Sequence, residues 1–469
     1  MPAQIATLIF AVGIAGLYWL DRDKSVRMSK ALWLPVIWLG IVSSRTVTGW
    51  LGIAPPAGVD TQLDGSPVDR FVFMVLLAAG VIALMGRSNR TKALLKASWP
   101  PLLYFSYCLL STLWSPFPDV AFKRWIKAIG DLVMVLVVVT DPEPLGALRR
   151  LFSRVGFLLL PLSVLYIKYY PALGRGYDPS GDPMNTGVTT NKNTLGVVAL
   201  VLSLGALWGV KTVLAAKDEP ARRRHLLAWS VFLGFGLIVL SMAHSSTSLA
   251  CFALGSLLML ASGLPVIRCR PGAVHALVLS IMLVGVLTML FGGDATVVHA
   301  LGRETDFTGR TEIWAAVIPA CPNRLIGAGY ESFWIGPWLT QVYSNLSRYM
   351  HVNEAHNGYI EVYLNLGWLG LILISTILIG GYRRAVAAFR RDPGLGGLAL
   401  ALIAASAVYS ITEAGFRNLD PIWIALLLAI VAASVIADTA VGRAAEPLHE
   451  PADGWTSDLP VLDRFGINN

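Results

Sequence analysis

Charge is what this sequence has least of. Asp, Glu, Lys and Arg make up 14% of its 469 residues, against roughly 25% in a soluble protein of ordinary composition. With a hydrophobic fraction of 55% and a mean hydropathy of +0.62, this scarcity excludes a water-soluble enzyme and a disordered chain. Cysteine is scarce too. Cys108, Cys251, Cys269 and Cys321 show no CxxC or zinc-type spacing, so neither a disulfide framework nor a metal site is supported. The net charge of +8 comes without a basic stripe interleaved with aromatics, which argues against a nucleic-acid partner. Rings and apolar runs are plentiful. Fifteen Trp and fourteen Tyr fit a chain that meets membrane interfaces repeatedly.

A helix crossing hydrocarbon needs about 20 largely apolar residues. Charge-free runs of that order occupy 1–20, 71–86, 97–118, 193–210, 271–293, 362–382, 393–412 and 421–437, and shorter or interrupted segments lie at 31–50, 125–140 and 151–170. The 42 residues from Leu226 to Ile267 suffice for a hairpin of two spans turning at His244–Ser248. The runs are continuous rather than alternating, which predicts an all-α polytopic membrane bundle of about 12–13 helices, not a β-barrel. The first run lacks a basic n-region and a cleavage site, so it reads as a mature helix.

Lys and Arg collect in cytoplasmic loops. Linkers 21–30, 87–96, 149–154, 211–225, 268–270 and 383–391 hold 22 of the 37 basic residues and alternate with poorer ones. This puts the N-terminus outside. The expected organisation is membrane helices over 1–291, a long outer loop at 292–357, further helices over 358–437 and a cytoplasmic tail at 438–469. Long loops usually carry function, and this one is dense in Gly, Trp, Tyr, Arg and His. Aromatic faces such as Tyr330 stack on sugar rings, and Arg forks match phosphate oxygens.

The ionisable residues near the outer rim are the site candidates, each with a plainer alternative. His356, followed by Asn357, is either a general base or a polar helix cap. Arg310 and Arg303 could clamp a diphosphate, or pair with Glu304, Asp306 or Glu312. Arg45, about five residues from the outer end of its apolar run, is either functional or snorkelling to headgroups. Lys123, Arg124 and Lys127 form a basic cluster on an outer linker, suited to an anionic lipid-linked substrate or to membrane headgroups. Lys192 and Asn193 would add a cation and an amide, with N-capping as the alternative. Glu413 either pairs with Arg417 or orients an acceptor. All project to one membrane face, whereas a transporter needs polar groups near the midplane.

His356-Asn357, nine residues, then Gly367-Trp-Leu-Gly370 matches the H-N-x9-G-x-x-G pattern of the O-antigen ligase and polymerase superfamily. Gly327-Ala-Gly-Tyr-Glu-Ser-Phe-Trp334, Gly309-Arg-Thr-Glu-Ile-Trp314 and Asn191-Lys-Asn193 resemble its exopolysaccharide polymerase-like branch. The resemblance implies a GT-C-type, metal-independent, inverting glycosyltransferase of the bacterial inner membrane, without cofactor. Its donor would be an undecaprenyl-diphosphate-linked glycan in the periplasm. The acceptor would be lipid A core for a ligase, or another lipid-linked glycan for a polymerase, which a chain-length regulator could accompany. His356 would activate the acceptor hydroxyl and Arg310 would hold the donor diphosphate. Ser245–Ser248 stands where family members commonly have an arginine, with Lys192, Arg303 or Arg45 as its replacement. The opposing class is a lipid-linked saccharide flippase or permease that forms no glycosidic bond.

Overall fold

In hydrocarbon a backbone has only itself to bond with, and the apolar runs fold accordingly. The computed structural model describes residues 1–23, 28–53, 65–178, 181–216, 221–268, 271–291, 307–346 and 352–437. The longer helices are α1 (Ala3–Leu20), α2 (Trp33–Val42), α3 (Pro67–Met85), α4 (Trp99–Ser111), α5 (Pro118–Val139), α6 (Pro144–Tyr169), α7 (Lys192–Ala215), α8 (Arg222–Ala243), α9 (Ser246–Ala261), α10 (Pro271–Phe291), α11 (Phe307–Val317), α12 (Gly358–Arg391), α13 (Pro393–Thr412) and α14 (Pro421–Ala437). Strand among the described residues is confined to a short antiparallel hairpin, Arg175–Tyr177 with Pro183–Asn185. The expected all-α polytopic bundle is what forms. Most apolar runs lie in a single helix, and among the described residues seven helices, α1, α3, α6, α7, α8, α12 and α13, are long and apolar enough to cross a membrane. The protein is a multi-pass membrane protein.

The interior of the bundle is built on α7 and α13, buried over 72% and 89% of their most apolar stretches. Small residues let neighbours approach closely: at Gly209 of α7 an added Cβ would lie 1.9 Å from the Trp229 ring of α8. By contrast α1 and α3 are buried over only 11% and 22%, as lipid-facing helices should be. At the end opposite the site described below, buried carboxylates have arginine partners. Asp21 pairs with Arg150 at 3.2 Å, and Asp141 with Arg87 at 3.5 Å.

Two local readings are corrected. The run at 31–50 is not one helix: α2 stops at Val42, and Thr46 caps a short second helix, Val47–Leu51, accepting from Gly49 N at 3.2 Å. Arg45 therefore sits in a break between helices, where Ser43 and Ser44 end the first, and not inside a span. Similarly, Lys123, Arg124 and Lys127 are not on a linker. Pro118, well suited to a helix's first position, starts α5 early enough to place all three on its outer turns.

The G-x-x-G part of the motif marks a kink. Gly367 inside α12 has φ 66° and ψ −162°, which opens the helical ladder. The segment 324–329 docks into the gap and supplies the missing partners: Ala328 N donates to Leu364 O and Gly329 N to Asn365 O, both at 2.9 Å, while Trp368 N donates to Arg324 O at 2.9 Å. Backbone meets backbone so closely that a Cβ on Gly367 would lie 2.2 Å from the Leu325 carbonyl carbon. Gly367→Ala combines a left-handed φ with a steric clash, so a loss of about 3 kcal/mol or more is expected. The check is detergent melting with and without the substitution; an unchanged midpoint would show that the docked segment contributes little.

Candidate active site at one end of the bundle

The N-termini of α7 and α12, the C-terminus of α13 and the α8–α9 turn meet at one end of the bundle, with α11 packed beside them. Each is fixed locally. Asn191 caps α7, its Oδ1 accepting from Thr194 N at 2.8 Å. Ser245 caps α9, with His244 as the left-handed residue ending α8. Asn357 caps α12, accepting from Tyr359 N and Ile360 N at 3.0 Å, while its Nδ2 donates to Ile411 O at 2.9 Å and so ties α12 to the end of α13. The capping role expected for Asn191 and the hairpin turn at 244–248 are both present.

His356 precedes this cap in a left-handed conformation, φ 50°, which costs a non-glycine residue and persists only where its surroundings hold it. They do so on both sides. The Ala355 carbonyl accepts from Trp314 Nε1 of α11 at 2.8 Å, and Ala355 N donates to the buried Glu361 of α12. The imidazole thereby sets Nδ1 within ion-pair distance of two carboxylates, Glu354 Oε1 at 3.0 Å and Glu413 Oε2 at 3.5 Å. Burial disfavours the imidazolium, but Glu354 and Glu413 outweigh it and push His356 up to about 9. Burial likewise works against an ionised Glu354, yet His356 and Arg417 hold its carboxyl below the usual range.

Glu413 is the hub. Besides His356 it takes Arg310 Nη2 at 3.0 Å and Asn193 Nδ2 at 3.2 Å on each oxygen, and its backbone carbonyl accepts from Gly358 N at 3.0 Å. Arg310 also donates to Thr412 O at 2.6 Å, and Thr412 Oγ1 bonds Thr247 of the α8–α9 turn at 3.0 Å. Arg310 thus pairs with Glu413. Arg417 pairs with Glu354 at 2.7 Å rather than with Glu413.

Five of the sequence candidates, His356, Arg310, Asn193, Asn357 and Glu413, are therefore in one bonded cluster. Lys192 adjoins it at the first position of α7. Arg45 lies one layer back, its guanidinium donating to the Leu173, Gly187 and Thr189 carbonyls and so bracing the segment that leads into α7. Tyr330 is buried within the main core, 5% exposed, with its N–H on Ser111 Oγ at 3.1 Å; it offers no open ring face here. Arg124 and Lys127 line a separate cavity on α5. Arg303 lies outside the described residues.

Sequence reading missed Glu354, Glu361 and Asn365 as contributors. Glu361 accepts from Trp334 Nε1 at 2.9 Å as well as from Ala355, and Asn365 Oδ1 accepts from Ser332 N and Phe333 N at 2.8 and 3.0 Å. The available signal was their i, i+4 spacing within the nine residues of the motif, which puts both on the α12 face that meets the loop.

Glu354, His356 and Glu413 offer ligand atoms within 4.8 Å of one another, a geometry that could hold a cation. Both carboxylates already have guanidinium partners, and they favour the protonated imidazole. A metal would have to displace two arginines and a proton, so the cluster as folded fits a proton-handling role better.

Residues 229–375 match the family described as O-antigen ligase, a stretch that contains the whole His356–Gly370 motif and Arg310. That stretch of the chain is similar to the O-antigen ligase family. The chain is also similar to the "Exopolysaccharide production protein ExoQ" of Rhizobium meliloti, 25% identical over 294 residues, 59% of this chain. The match spans 62% of that relative's length.

Proposed function

We propose that this protein is a bacterial inner-membrane glycosyltransferase that polymerises or ligates a glycan from a polyprenyl-diphosphate-linked donor at the periplasmic face. The observation that carries the reading is His356, strained into place with Nδ1 on Glu354 and Glu413. With Nδ1 buried against the two carboxylates, Nε2 is the nitrogen left for substrate, and carboxylates beside an imidazole stabilise the cation that forms. The acceptor hydroxyl gives its proton to Nε2 of neutral His356. Its oxygen bonds to the donor's anomeric carbon as the bond from that carbon to the diphosphate breaks, and the diphosphate leaves with the electron pair. Attack opposite the leaving group inverts the configuration. Arg310 and Asn193 hold Glu413 in place throughout.

The superfamily match and the relative's role in exopolysaccharide production support this substrate class. The positive-inside pattern, which sends the His356 end outward, supports the periplasmic face. In proteoliposomes holding purified protein and a lipid-linked oligosaccharide, a new glycosidic bond is expected without nucleotide. Movement of the lipid between leaflets with no new bond would make the protein a flippase instead.

A further inference from the structure

At the end of the bundle away from His356, α12 and α4 part to leave a cavity of about 440 Å³, within the roughly 300–1,000 Å³ usual for ligand pockets. One stripe of α12 forms its long wall. Thr376, Ile379, Gly380, Arg383, Arg384 and Ala387 recur at helical spacing, and Trp99 and Pro100 of α4 face them. Small residues make the room: Gly380 is where the two helices come close, and a Cβ added there would stand 3.5 Å from Pro100 Cγ, in ordinary contact. Thr376 turns its hydroxyl onto its own helix, donating to Ile372 O at 2.8 Å, so that group is already satisfied.

Polarity is graded along the stripe. At about 1.5 Å per residue Arg383 stands roughly 35 Å along α12 from Gly358, against about 30 Å of bilayer hydrocarbon. The two arginines therefore meet the headgroups of the opposite leaflet, while Gly380, Ile379 and Thr376 stay among acyl chains. Ile379 and Trp99 are 61% and 50% exposed, so the cavity opens sideways to lipid. Elsewhere at this end buried acids answer the arginines, Asp21 for Arg150 and Asp141 for Arg87. No carboxylate lines this cavity, and Arg383 makes no hydrogen bond or ion pair with any described residue. Guanidinium forks match phosphate oxygens, and the apolar stretch beside them suits an anion that carries an acyl chain. A tryptophan at the rim fits the depth of the headgroups.

We propose that this cavity binds an anionic glycerophospholipid of the leaflet opposite the His356 site, the cytoplasmic leaflet by the positive-inside pattern. Its phosphate takes Arg383 and Arg384, its glycerol lies beside Trp99, and one acyl chain follows Gly380, Ile379 and Thr376. A lipid held there joins α4 to α12 along the same seam in which Tyr107 of α4 donates to Leu366 O at 3.1 Å, next to the Gly367 kink. The site stands apart from the transferase reading, since its ligand is a membrane lipid and no bond is made or broken in it.

The experiment uses the full chain in phosphatidylcholine nanodiscs with a photoactivatable phosphatidylglycerol as probe, the labelled peptides being located by mass spectrometry. In the wild type, label is expected on the peptides holding Trp99 or residues 376–387, displaced about tenfold more effectively by phosphatidylglycerol than by phosphatidylcholine, and not displaced by millimolar inorganic phosphate. Arg383→Gln/Arg384→Gln is expected to abolish that preference, and Arg383→Lys/Arg384→Lys to keep most of it. Gly380→Leu fills the apolar part and leaves both charges, so it should block labelling. Arg390→Gln/Arg391→Gln removes two charges just beyond the cavity and should not. Equal loss in the two glutamine pairs, or full labelling of Gly380→Leu, would mean that the surface potential alone attracts the lipid, and overturns the proposal. Displacement by phosphate would make the occupant a free anion and overturns it too, as does label confined to other helices.

Discussion

Replacing His356 by Ala is expected to lower glycan transfer by about 10²–10⁴-fold, the usual worth of a positioned general base, while the protein remains folded in the membrane. The second half of that expectation follows from the charge arrangement. Removing one member of a buried pair normally leaves a costly orphan, but the two carboxylates facing His356 each keep a guanidinium, Arg417 on Glu354 at 2.7 Å and Arg310 on Glu413 at 3.0 Å. The left-handed strain at position 356 is relieved only slightly, since Ala also disfavours φ 50°. The variant should therefore melt close to the wild type and fail in transfer. Rates of lipid-linked glycan extension, measured beside a melting curve for the same preparation, separate the two effects. Transfer within about threefold of wild type would remove His356 from the chemistry, because no general base is worth so little.

How much of this was readable in advance depended on whether the determining contacts are local. Apolar runs dictate helices wherever they occur, so the bundle was legible. The Leu226–Ile267 hairpin was too, because His244 and Ser245 terminate and cap neighbouring helices within three residues. Helix ends inside a run were less so: Ser43 and Ser44 stop α2, but apolar residues resume at Val47, and the reading of 31–50 as one span put Arg45 inside it. His356 and Asn357 were found because they carry a motif, but its physical content was hidden. Gly367 is required by a segment forty residues earlier that docks at the kink, and spacing alone says nothing of a docked backbone. Pairing was the least legible property. Glu413 meets Arg310 across 103 positions of sequence and Asn193 across 220, and only the converging helix ends determine which acid answers which base.

Those pairings carry the second large effect, on pH. With His356 raised to about 9 from an ordinary 6.5, most of the enzyme at neutral pH holds an imidazolium, which cannot accept a proton. Transfer is expected to accelerate as pH rises, with its inflection near 9. Glu413→Gln removes one of the two carboxylates that favour the charged ring, so the inflection should move down by about 1 unit or more, and the limiting rate should fall because the product imidazolium loses part of its stabilisation. Stability runs the opposite way. A folded value above the unfolded one means that the His356 interaction contributes fully below about 6.5 and is lost as pH climbs through about 9. The wild type should therefore melt lower across that window while becoming more active, and His356→Ala should lack this component of the decline. An inflection at or below 6.5 that Glu413→Gln leaves in place would mean that the carboxylates do not control the ring, and that the base lies elsewhere in the site.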